Sequence, residues 1–212
     1  MALVNGHADP VCGLTSGDIS RLLGVDRKTV HNWVKHSHLH GRRTKGRHLR
    51  FHRTEVVRFM RRYGYPVPRA IGGEAPRVVL AGTHAWNGKA GQSRNGTSNG
   101  YAQLKRMGVQ CFESLFDAVL TVSSGEYEVL AIELKCYPIG MVVEVVEALR
   151  RRPGTQGLAL LGIARGAQPR RVFIERGGDL AIERVADLRA AVRWLTGPGP
   201  APERAVIPVG LA

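Results

Sequence analysis

Arg27, Lys28, His31, Asn32 and Lys35 recur at the spacing of one helix face, while Val30, Trp33 and Val34 fall on the other. The exposed set is suited to reading base edges. Arginine and lysine donate to guanine O6 and N7, and asparagine pairs bidentately with adenine. Thr29 adds a hydroxyl and a methyl group in the same turn. A second set, Arg42, Arg43, Lys45, Arg47, His48 and Arg50, is spread over residues 41–51. It flanks Thr44-Lys45-Gly46, which reads as the turn of a hairpin with Gly46 at the position that needs positive φ. Cations on such a hairpin can lie along a phosphate backbone or reach into a minor groove. The chemistry these residues offer is electrostatic recognition of a nucleic acid.

Three short elements must hold these side chains. Thr15 or Ser16 caps a first helix whose apolar face is Ile19, Leu22 and Leu23, and Gly24 ends it in the left-handed conformation. Asp26 caps the second helix, predicted over 27–35. Thr54 starts a third, with Val56, Val57, Phe59 and Met60 turned toward a small core that Phe51 joins. A helix, a tight turn, a second helix, a basic hairpin and a third helix make a groove-reading arrangement.

The charge distribution agrees. The chain has 212 residues and a net charge of +14. Residues 1–75 carry 14 Lys+Arg against 5 Asp+Glu and seven of the eight histidines. An excess concentrated in the smaller part of the chain points to an anionic partner of that part, nucleic acid before a membrane surface. The three cysteines, Cys12, Cys111 and Cys136, are too widely spaced for a metal or disulfide framework. His31, His36, His38, His40 and His48 have no cysteine at zinc-site spacing beside them, so no metal is expected. The start of the chain lacks the charged-then-apolar pattern of a signal peptide, and no apolar run is long enough to span a membrane. A cytoplasmic, nucleoid-associated protein follows as the expectation, and frequent Arg, Gly and Ala suit a bacterial, GC-rich source.

The segment LTSGDISRLLGVDRKTVHNWV resembles the winged helix-turn-helix of the excisionase and MerR families, whose pattern is L-T-x-x-x-[IV]-[AS]-x-L-L-G-V-x-x-x-T-[VI]-x-x-W-[VI]. The wing pattern G-x-H-x-R-F stands here at Gly46–Phe51, followed by TEVVRFM. The resemblance covers about 47 residues and implies a recognition helix at 27–35 in the major groove with the wing at 41–51 against the neighbouring backbone. MerR regulators continue into a coiled-coil helix. This chain breaks at Gly64 and Pro66, which favours the excisionase-like form and leaves the source of dimerisation open.

Residues 63–75 read as a Pro/Gly linker, and residues 1–13 as a loose arm. From 76 to 197 strands alternate with helices, the pattern of a parallel sheet covered on both faces. The predicted elements are strand 78–81, a polar loop 82–98, helix 99–107, strand 109–112, helix 113–123, strand 128–133, helix 139–151, strand 157–163, a strand at 171–174 or 179–182, and helix 185–195. Residues 198–212 form a Pro-rich tail, disordered or a short docking segment. The expected fold class is α/β: a small winged helix-turn-helix domain at 14–62, followed by a flavodoxin/receiver-like doubly wound sheet.

The second pattern resembles a response-regulator receiver, with its chemistry missing. The first strand ends Leu80-Ala81-Gly82-Thr83-His84 without the acidic pair that binds Mg²⁺. Glu133 stands at the phosphoacceptor position, Ile163 where a Thr or Ser is expected, and Glu183 near the place of the lysine. Such a domain cannot hold Mg²⁺ against an incoming phosphoryl group, so Glu133 is a pseudo-phosphoacceptor or simply a polar strand end. A cobalamin domain of the same fold would carry D-x-H-x-x-G, and Gly82–Gly88 lacks the Asp. No phosphate loop and no nucleophile–base pair is found, so no cofactor and no enzymatic activity are expected. The sequence thus predicts a sequence-specific transcription regulator whose second domain, through 139–151 or 185–195, supports a homodimer or docks a protein partner. The alternative is an architectural or adaptor protein, such as a recombination directionality factor or a chromosome-organising scaffold.

Overall fold

The computed structural model describes residues 13–71, 75–82, 104, 107–124 and 126–210. Most of the predicted helix 99–107 (all but Leu104, which is helical and buried, and Met107), most of the loop 82–98 and the arm before Gly13 lie outside them.

The amino-terminal part begins with β1 (Leu14–Thr15) and α1 (Ser16–Leu23). Thr15 and Asp18 cap α1 reciprocally, the Thr15 hydroxyl accepting from the Asp18 amide at 3.1 Å and the Asp18 carboxylate from the Thr15 amide at 2.9 Å. Gly24, at φ +65°, ends it. α2 (Arg27–Lys35) follows, then β2 (Arg42–Arg43), β3 (Leu49–Phe51) and α3 (Arg53–Arg62). Sequence reasoning missed β1, which pairs antiparallel with β3 (Leu14 opposite Phe51) and makes the wing a three-stranded sheet, β1-β3-β2. Two residues are too few to show a period.

Ile19, Val30, Phe51, Val56 and Met60 fill the core of this part. Leu22, Leu23 and Trp33, expected inside, are half-buried at its margin. The segment after α3 does not leave at once. Tyr65 and Val67 pack on the same core, and Ile71, in a 3₁₀ turn (Arg69–Ile71), is buried in it. Proline there stiffens a chain that still has apolar side chains to place.

The second part is a five-stranded parallel sheet, ordered β5-β4-β6-β7-β8, consistent with a flavodoxin-like fold. Its strands are β4 (Val78–Ala81), β5 (Gln110–Phe112), β6 (Val129–Glu133), β7 (Ala159–Ile163) and β8 (Leu180–Ile182). Between them run α4 (Leu115–Ser123), α5 (Ile139–Arg151) and α6 (Ala167–Glu175), with α7 (Leu188–Thr196) at the end. The continuous apolar runs of β4, β6 and β7 are buried at every residue, as strands covered on two faces must be. Val79, Leu130 and Leu160 face α4, α5 and α6; Leu80, Ala131 and Leu161 face α7 and Leu104.

Of the two places offered for the last strand, 179–182 holds it. Residues 171–174 are helical, within α6, where Phe173 fills the space over Gly162 and Gly178. A short run of Val-Phe-Ile between arginines fits either period, and the packing of Phe173 decided it. The tail is a docking segment. Val206 exchanges two backbone hydrogen bonds with Ala181 (2.8 and 2.9 Å) on the open edge of β8, and Arg170 donates to the Arg204 carbonyl at 2.6 Å. An edge strand left bare would invite pairing with another chain.

α3 belongs to both parts. Its apolar residues enter the first core, while Arg53 and Arg58 reach the amino ends of β6, β7 and β8, Arg61 reaches α7, and Arg62 stays exposed. Arg53 pairs with Glu128, and the Thr54 hydroxyl donates to the Gly157 carbonyl. Arg58 pairs with Glu55 (3.2 Å) and Asp179 (3.0 Å), and Asp179 also pairs with Arg150 (2.5 Å). Arg61 stacks over the Trp194 ring at 4.3 Å and donates to the carbonyls of Trp194, Gly197 and Gly199. α7, expected as an interface with another molecule, has Trp194 only 3% exposed because α3 covers it.

Candidate nucleic-acid interface

The candidate surface is built on α2. The Asp26 carboxylate accepts from the Lys28 amide at 2.6 Å, fixing the first turn. The preceding turn is tied down by Ser20, whose hydroxyl donates to the Val25 carbonyl at 2.6 Å. Val30 is fully buried, and the Trp33 ring lies 4.7 Å from Phe59. With that face fixed, Arg27, Lys28, His31, Asn32 and Lys35 are exposed together, and Thr29 is half-buried beside them. The Arg27 guanidinium lies over Gly17 of α1, where a Cβ would meet it at 3.1 Å. Gly17 therefore leaves room for the arginine at the start of α2.

On the wing, Arg43, Lys45, Arg47 and His48 are exposed, while Arg42 and Arg50 are half-buried at the base of the strands. The Thr44 amide donates to the His48 carbonyl at 3.0 Å and the Arg47 amide to the Thr44 carbonyl at 2.8 Å. The positive φ of this turn falls on Arg47, at +61°, and not on Gly46. A non-glycine residue there is strained. The turn thus thrusts a cation outward at its tip.

None of Arg27, Lys28, Lys35, Lys45 and Arg47 enters an ion pair among the described residues. The described acids of this part are engaged elsewhere: Asp18 in the α1 cap and with Arg21, Asp26 in the α2 cap, and Glu55 with His40 and Arg58. Among the described residues no carboxylate compensates this cationic face.

Two titratable groups brace it from behind. Burial alone would raise the Glu55 carboxyl, but Arg58 and hydrogen bonds from the His40 amide and ring outweigh this and hold it at about 2. Burial, reinforced by the nearby Arg42, pulls His52 down to about 4, so it is neutral at pH 7. His40, four residues past the α2 cap His36, is thereby tied to α3. His36 and His38 stand 6.3 Å apart, and among the described residues no group of three His, Cys, Asp or Glu is placed to hold a metal.

Residues 14–64 match the family described as Helix-turn-helix domain. The match spans the capped helices, the wing and α3, and it supports a DNA-binding domain at the amino terminus. No curated protein and no solved structure matches the chain.

At the opposite end of the sheet, Glu133 closes β6 with 2% exposure, packed where a Cβ on Gly82 would stand 2.6 Å away. Cys136 Sγ donates to its carboxylate at 3.4 Å. Burial, and then the Glu133 charge, pushes the Cys111 thiol up to about 11, so it is not a nucleophile at neutral pH. Ile163 ends β7 and Glu183 follows β8, while Thr83 and His84 lie outside the described residues. Among the described residues, no helix is long and apolar enough to cross a membrane.

Proposed function

We propose that this protein is a bacterial sequence-specific transcription regulator. An excisionase-like winged helix-turn-helix reads double-stranded DNA, and the α/β domain is a non-enzymatic pseudo-receiver that dimerises or docks a partner. α2 lies in the major groove, with Arg27 and Asn32 reading bases. The wing, through Arg43, Lys45 and Arg47, holds the adjacent phosphates. The observation that carries this reading is the set of exposed cations on α2 and the wing that enter no ion pair among the described residues, beside a third helix whose Arg53, Arg58 and Arg61 are engaged internally. Glu133 takes the phosphoacceptor place as a fixed carboxylate, so acetyl phosphate with Mg²⁺ leaves the mass of the protein unchanged.

The deciding experiment selects bound sites from a random duplex pool and compares binding to the winner and to random DNA. A regulator prefers its site by a factor of roughly 10³ or more. Equal binding to all sequences, with a steep salt slope and bent DNA, would overturn this reading in favour of an architectural protein.

A further inference from the structure

The face of the α/β domain formed by α4 and α5 differs from the rest of the molecule. Residues 107–134 contain no Lys or Arg, nor do residues 139–149, in a chain with 31 of them. Over the same stretch Phe116 is 68% exposed, Leu120 57% and Met141 48%. These are large apolar side chains left in water on neighbouring helices. The Tyr137 hydroxyl donates to the Glu113 carbonyl at 2.6 Å, so the two helix starts meet. With right-handed crossovers, the flank of α4 carrying Phe116 and Val119 turns toward the flank of α5 carrying Met141 and Val145. The result is an apolar furrow with half-buried valines at its floor. Glu113, Asp117 and Glu144 stand exposed around it, none in an ion pair among the described residues.

We infer that this furrow docks a basic amphipathic helix of a partner protein. The inference rests on the proposed partner-docking role of the α/β domain and gives that partner its chemistry. Charge selects the occupant. DNA and anionic membranes would be repelled by the carboxylates. A second copy meeting the same face across a two-fold axis would oppose like charges. A helix with leucine-type residues at i, i+3, i+4 and i+7 and lysines along its flanks satisfies both the furrow and its rim.

The test uses the full-length protein and a synthetic Leu/Lys amphipathic helix, with a Leu/Glu helix of the same pattern as control. Titration calorimetry should show saturable binding of the Leu/Lys helix that weakens as salt is raised. Phe116→Ser and Leu120→Ser should each weaken it about tenfold, the scale of one lost anchor. Asp117→Lys should weaken it too, while DNA binding and melting temperature stay unchanged, since all three side chains face solvent. Failure of the peptide to bind, equal binding to Phe116→Ser, or equal binding of the Leu/Glu helix overturns the inference. So does self-association of the wild type that Phe116→Ser abolishes, which would assign the furrow to a second copy. Binding that emerges only after deletion of residues 1–12 would assign it to this chain's own arm. DNA binding is measured on the same samples, so a failed furrow leaves the DNA-reading proposal standing, and the reverse.

Discussion

Helices α2 and α3 are adjacent, of similar length and both rich in cations, yet they use their charge in opposite ways. α2 presents Arg27, Lys28 and Lys35 to solvent with no ion pair among the described residues. α3 turns Arg53, Arg58 and Arg61 into the second domain, where Glu128, Asp179, Trp194 and main-chain carbonyls receive them. An arginine count would assign both helices to DNA. A guanidinium already held by a carboxylate or carbonyl inside the protein cannot release counterions from DNA, so the α2 and wing cations, and not Arg53, Arg58 and Arg61, should contribute to salt-dependent affinity. The contrast also shows that the two domains are joined by a buried polar network in addition to their connecting segment.

The largest effect should come from breaking that network. Asp179→Ala leaves Arg58 and Arg150 buried without their shared carboxylate, together with the Leu160 amide that donates to it at 2.7 Å. The expected cost is about 3–5 kcal/mol in denaturant unfolding. Lys35→Ala should stay within about 0.5 kcal/mol of wild type; a comparable loss there would erase the distinction between the two helices.

Acid should act on α3 next. The lowered His52 value means that the unfolded chain takes up a proton between pH 6.5 and about 4 while the native state does not. Stability present above pH 6.5 is therefore lost as pH falls through that window, by up to about 3 kcal/mol. Glu55, also lowered, adds a further loss from about pH 4.5 down to about 2. In His52→Gln the slope between pH 6.5 and 4 should flatten; an unchanged slope would place the sensitivity elsewhere.

On the DNA side, Arg27→Ala and Asn32→Ala should each cost about 1–3 kcal/mol on the selected site and relax discrimination there, with little change on random duplex. The smallest effect is the most diagnostic. Lys45→Ala should weaken binding to every sequence and reduce the salt slope by about 1, because one phosphate contact is lost. Arg61→Ala, on α3, should lower stability through its lost contacts and leave that slope unaltered.

The elements legible in the sequence were those with local causes. Asp26 before Arg27 and Gly24 after Leu23 place the helix-turn-helix, and α2 runs over the residues its period implies. The apolar runs of β4, β6 and β7 need two covered faces and so imply the doubly wound sheet. Failures came where the cause is distant. The strain at Arg47 in place of Gly46 depends on how β2 and β3 meet. The helix at 167–175 depends on the room that Gly162 and Gly178 leave for Phe173. Among the site residues, all those of α2 except the half-buried Thr29 are exposed, and Arg42 and Arg50 are drawn into the base of the wing.

The sequence by itself determined most of the helices and strands, and that the amino-terminal part is a cationic helix-turn-helix domain. Capping, periodicity and charge are properties of neighbours along the chain. The tertiary structure decided which arginines remain free to meet a phosphate. That depends on whether a carboxylate or carbonyl more than a hundred residues away lies within hydrogen-bond reach, as Asp179 does for Arg58 and the Trp194 carbonyl for Arg61.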